Sequence, residues 1–268
     1  MTYMQILKLM FLAAALLYAA SCAAPLFGGN AARKAARARI LGAAGFALHT
    51  LALGARYLPN LESPAGSPYG LVLFIAWIFA AIELALPLLV KDAPFSMLPA
   101  FALTVLPLAC PVFARAFGEK NAAAPSFAAL HGMLAAISYA ALAACATFAA
   151  TYLKQRASLR KKSPLAGGER LAPLEILERG TSAFAATSML AMLASAAAGI
   201  LAAGKLGDAS ALAIKFAAGS AVLALQIALC AASLSGALRG AKLAKLSVAL
   251  FIFALAALIP IQLCTPIR

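Results

Sequence analysis

Four ionisable side chains lie where charge is expensive. His49 sits in Phe46-Ala47-Leu48-His49-Thr50-Leu51, His131 in Leu130-His131-Gly132-Met133, and Glu83 at the end of Trp77-Ile78-Phe79-Ala80-Ala81-Ile82-Glu83. Each is embedded in a long apolar stretch, where an ionisable group marks function by default. Arg56 follows His49 by two helical turns, on the same helix face. An imidazole there can ligate a metal such as haem iron, relay protons, or simply hydrogen-bond a neighbour. A guanidinium can pair with a carboxylate or extend along its helix to the interface. Glu83, the only acid deep inside a span, is either a proton or cation site or a protonated structural group. The chain has only two His, both in apolar stretches, which favours a function for them.

The elements that carry these residues follow from composition. Of 268 residues, 65% are apolar and 11% charged, and the mean hydropathy is +0.96. A water-soluble domain carries roughly 25% charged residues, so this chain cannot coat a solvent-facing surface. Runs of about 18 or more nearly uncharged residues recur along it, the length that crosses a bilayer as a helix. The expected fold is all-α, a polytopic membrane helix bundle of eight spans forming a single transmembrane domain over 1–268. The spans are placed at 4–27, 39–58, 69–90, 96–116, 126–153, 181–204, 210–235 and 246–265.

The net charge of +14 is explained by topology rather than by nucleic acid. Basic residues cluster in alternate connections: Arg33, Lys34, Arg37 and Arg39; Lys91; Lys154 to Arg179; and Arg239, Lys242 and Lys245. The positive-inside rule puts those connections in the cytoplasm and both termini outside, in a multi-pass protein of the cytoplasmic (inner) membrane. His131 then lies near the outer surface. His49 lies about 13 Å below the outer end of its helix.

The remaining features are bland. The strong basic cluster follows the first span, which favours a retained helix over a cleaved signal despite Ala20-Ser21-Cys22. Ala-rich stretches such as Ser195-Ala196-Ala197-Ala198-Gly199 read as close helix packing. Pro87, Pro99, Pro107, Pro111 and Pro260 should kink or end their helices. Cys110 and Cys264 could meet near the outer ends of their spans, while Cys22, Cys145 and Cys230 read as small packing residues. The basic segment 154–180, with Gly167-Gly168 followed by a short interfacial helix over 171–179, is a cytoplasmic loop with room to dock a partner. No convincing 4+4 internal repeat is visible, and no zinc spacing, phosphate-binding glycine motif, nucleophile elbow or carboxylate pair occurs.

Around the two His the sequence takes on a familiar pattern. Leu48-His49-Thr50-Leu51-Ala52-Leu53-Gly54-Ala55-Arg56-Tyr57, with Ser67-Pro68-Tyr69-Gly70 through Trp77, resembles the second and third helices of the cytochrome c assembly family of CcsA/HemX/YpjD type. Leu130-His131-Gly132-Met133 with Ile137-Ser138-Tyr139-Ala140 is similar to that family's "LHV…SYA" helix. Pro173-Leu174-Glu175-Ile176-Leu177-Glu178-Arg179 resembles its cytoplasmic lead into the next span, and Leu238-Arg239-Gly240-Ala241-Lys242 its "WRGRR" element.

The resemblance implies haem as cofactor, with His49 as an intramembrane ligand, His131 as an outer-surface ligand and Arg56 beside a propionate. It also implies other cytochrome c assembly proteins as partners, met through 154–180. The full synthases carry a Trp-rich external motif and two further His. Here Trp77 is the only Trp, Ser233 and Ser235 stand where a His is expected, and the last span ends without one. The closer likeness is to the shorter eight-helix branch. The expected function is therefore a haem-binding accessory of cytochrome c biogenesis, not an enzyme. The competing readings are a small-molecule transporter with a central site near Glu83 and a structural membrane anchor.

Overall fold

The computed structural model describes residues 2–60, 62–64, 67–90, 93–109, 126–161, 172–203 and 209–263. Among them all regular structure is helical. The helices are α1 (Tyr3–Ala23), α2 (Ala31–Tyr57), α3 (Pro68–Leu89), α4 (Leu98–Ala109), α5 (Ser126–Arg160), α6 (Leu174–Ala203), α7 (Ala209–Leu234) and α8 (Ala241–Leu263). Seven of them are long and apolar enough to cross a membrane, and α4 is a shorter apolar helix. The chain is a multi-pass integral membrane protein in contact with the bilayer. Leu16, Ile40, Leu51, Leu88, Leu190 and Ile252 are exposed, as lipid-facing residues should be. The helices gather into two compact units, α1–α4 with the end of α5 from Ala157, and α5 as far as Arg156 with α6–α8.

In the first unit the helix starts are written in the sequence. The Thr2 hydroxyl accepts from the Gln5 N–H while Gln5 Oε1 accepts from the Thr2 N–H, a reciprocal cap. Asn30 caps α2 through Arg33 N–H at 2.9 Å, and Ser67 caps α3 through Gly70 N–H at 3.0 Å, with Pro68 at the first turn. The buried stripe of α2 is Ala38, Gly42, Gly45, His49, Ala52, Leu53 and Tyr57, at three- and four-residue spacing. Lipid is as apolar as Leu, so close packing and interhelical hydrogen bonds must hold α1 against α2. Both are present. A Cβ added at Gly45 would come within 2.9 Å of the Tyr18 ring, so only glycine lets the ring lie there. The Ser21 hydroxyl donates to the Ala38 carbonyl at 2.7 Å, and Tyr3 OH donates to the Ala55 carbonyl.

The second unit follows the same rule. A Cβ on Gly180 would fall 2.3 Å from Phe148, so glycine sets the approach of α6 to α5. Ser138 and Ser188 each donate a hydroxyl to the other's carbonyl at 2.8 Å. Gln226 of α7 donates its amide to Ser188 Oγ at 2.8 Å, closing a three-helix polar cluster in the buried interior. Cys145 donates its thiol to the Thr181 carbonyl at 3.2 Å. Cys22, Cys145 and Cys230 are free thiols, whereas Cys110 and Cys264 lie outside the described residues.

Helix ends depart from the hydropathy edges. α2 begins at Ala31 rather than 39, and α5 continues to Arg160 rather than 153, because Arg and Lys extend a helix past the apolar window. The stretch over 171–179 is not a separate interfacial helix. From Leu174 it is the opening of α6, which runs unbroken to Ala203. Gly180 lies within this helix, and its missing side chain admits Phe148. Consequently much of 154–180 is helix. Only Lys161, Ala172 and Pro173 are described between α5 and α6. Pro87 and Pro107 lie inside α3 and α4, and Pro111 lies outside the described residues.

Candidate functional site

His49 is completely buried in α2 of the first unit. It lies between two aromatic residues of α1: the Phe11 ring meets it edge-on with centroids 5.4 Å apart, and Tyr18 is tilted at 6.0 Å. Tyr18 OH is 3.3 Å from Nδ1, a long hydrogen bond whose direction depends on the tautomer. Nε2 has no hydrogen-bond partner among the described residues. A buried ring nitrogen without a partner is costly in an apolar interior, so this atom is suited to a ligand.

His131 is near the start of α5 in the second unit. Its Nδ1 lies 2.7 Å from the Ser195 carbonyl and 3.0 Å from Ser195 Oγ, and that hydroxyl donates to the His131 carbonyl at 2.9 Å. A carbonyl only accepts, so Nδ1 carries the hydrogen of this contact and Nε2 is the nitrogen left for any other partner. This is how metal-binding imidazoles are oriented by their surroundings. Gly199 completes the seat, because a Cβ there would stand 2.9 Å from Nδ1.

Arg56 does not extend freely to the interface. It forms a 2.9 Å ion pair with Glu62, both side chains about one-tenth exposed, and its guanidinium lies 5.0 Å from the Tyr57 ring centroid. Glu83 is completely buried: Oε2 accepts from Ser96 N–H at 2.8 Å and Oε1 has no partner among the described residues. Trp77 is stacked against Phe46 and Phe74 and donates its indole N–H to Thr50 Oγ1 at 2.8 Å.

Of the residues singled out in the sequence, the first unit therefore holds His49, Arg56 and Glu83, and the second holds His131. Their immediate partners were not legible in advance. Ser195 reads as a small packing residue, and Tyr18, Glu62 and Ser96 attract no notice as single letters. The one available signal was a polar residue inside an apolar run, which Ser195 shares with His131. Among the described residues no group of three or more His, Cys, Asp or Glu could hold a metal ion. A cofactor carrying its own metal needs only one or two ligands. No family model, curated protein or solved structure matches the chain.

Proposed function

We propose that this protein is an accessory of haem handling in cytochrome c biogenesis, binding haem through His49 and His131 in the cytoplasmic membrane. The observation that carries the reading is at His49, whose Nδ1 faces Tyr18 OH while its buried Nε2 has no partner among the described residues; His131 is likewise held at Nδ1, by the Ser195 carbonyl. An oriented ring with one nitrogen left open would suit an imidazole that holds a metal-bearing cofactor. Haem, if bound, would be held at its iron by His49 and His131. Tyr18 and Ser195 fix the ring planes, and Phe11 keeps water from His49.

Arg56 already has a carboxylate partner in Glu62, so the reading gives it the role of tying the end of α2 to the connection that follows. A propionate would have to displace that partner. The chain acts as a binding protein rather than an enzyme, and segment 154–180 supplies contact with other assembly proteins. In a strain lacking the chain, covalently bound c-type haem should fall, and wild type should restore it. His49→Ala and His131→Ala proteins, made at wild-type level, should not. Unchanged haem staining with both imidazoles removed would sink the reading.

A second reading is favoured by the bare Oε1 of Glu83. A buried carboxyl oxygen without a protein partner suits a proton or small-molecule site in a transporter. Glu83→Gln keeps an acceptor for Ser96 N–H and removes the acid. Loss of complementation in Glu83→Gln, with both His variants active, would select transport over haem binding.

A further inference from the structure

At one end of the second unit, a cavity of about 950 Å³ opens among the C-terminal turns of α5 and α7, the first turns of α6 and the start of α8. Its cationic lining is Arg156, Arg179 and Arg239, and its acids are Glu175 and Glu178. The two acids are already engaged. Glu175 pairs with Arg179 at 2.7 Å, and Glu178 Oε1 accepts the Gly240 N–H at 2.8 Å. Gly240 is positioned for that bond by a φ of +57°, and an added Cβ would meet Tyr152 OH at 2.8 Å. Among the described residues, Arg156 and Arg239 have no acidic partner within 4 Å. Arg156, near the end of α5, and Arg239, in the connection between α7 and α8, both line a cavity that also carries the hydroxyls of Ser182 and Ser233, 3.0 Å apart.

We infer that this cavity binds the phosphate headgroup of an anionic phospholipid. Guanidinium groups match phosphate oxygens in a forked geometry and hold their charge at any physiological pH. Basic pockets between membrane helices near the interface are the ordinary setting for such headgroups. The volume is at the upper end of the range for small-molecule sites, enough for a headgroup and its glycerol. Leu234, which follows the lining residue Ser233 at the end of α7, is highly exposed and offers acyl chains an apolar surface. By the positive-inside rule this end faces the cytoplasm, the side on which polybasic segments meet anionic lipid. The assignment does not depend on haem, because none of these side chains touches His131.

The test uses full-length protein purified in detergent and analysed by native mass spectrometry with phosphatidylglycerol or phosphatidylcholine added. Wild type should retain phosphatidylglycerol over phosphatidylcholine. Arg156→Gln/Arg239→Gln should reduce that retention at least about tenfold, a change of about 1.4 kcal/mol. Arg156→Lys/Arg239→Lys should keep an intermediate share, which separates charge from fold. Arg33→Gln/Lys34→Gln, which removes equal charge from the first unit, should match wild type. Equal retention by the double Gln variant, or by the two lipids, would overturn the site. Full displacement by inorganic phosphate at equal phosphate concentration would overturn the lipid assignment in favour of a free phosphate compound.

Discussion

Full-length His49→Ala protein is expected to bind added haem at least about 100-fold more weakly at its intramembrane site than wild type, and to regain binding when imidazole is supplied. Loss of partners that merely orient a metal-binding His already costs about 10- to 100-fold, so removing the ligand should cost no less. The rescue distinguishes ligation from damage. His49 fills the space between Phe11 and Tyr18, and truncation leaves a hole of the shape of the lost ring. Apolar cavities of this kind accept small aromatic molecules. A titration followed optically, with and without millimolar imidazole, reads both effects. Weak binding that imidazole does not restore would mean that His49 holds α1 and α2 together and nothing more. Undiminished binding by His49→Ala would remove it from the site altogether.

The second large effect is on assembly. Gly180→Val should lower stability by about 3 kcal/mol, the upper part of the range for overpacked interiors. Alanine already brings a Cβ to 2.3 Å from Phe148, and valine adds two methyls. Phe148→Ala in the same chain should restore most of the loss, because the opposing atoms belong to one side chain. Thermal unfolding of the two single variants and the double variant forms the cycle, in which the loss from Gly180→Val should shrink once Phe148 is truncated. If Gly180→Val melted with wild type, α6 would not pack on α5 through this glycine. Haem binding at His49, in the other unit, should be much less affected than at His131, which depends on the same α5–α6 contact through Ser195.

The membrane class and the seven long apolar helices among the described residues were legible because both rest on summed hydropathy, which tolerates errors at single positions. Helix ends were not, since hydropathy marks the apolar slab while the helix continues through Arg33 to Arg39 and through Lys154 to Arg160. His49, His131 and Glu83 stood out because isolated polar residues in apolar runs are conspicuous. Their partners were obscure for a physical reason. Tyr18 and His49 are brought together by the packing of α1 on α2 through Gly45, a contact that no local pattern announces. Ser195 illustrates the same gap. A small residue can serve packing and hydrogen bonding at once, and here it meets His131 through both its carbonyl and its hydroxyl. The Arg56–Glu62 pair crosses a turn and falls outside the three- and four-residue spacings that helical reading searches.

Haem ligation by these two imidazoles is tested most directly by the optical spectrum of the purified full-length protein, oxidised and then reduced, after haem is added and the excess removed. A Soret band that shifts on reduction is expected, diminished in His49→Ala and in His131→Ala and lost when both are replaced. A protein that retains no haem, or one whose band is indifferent to both substitutions, would contradict it.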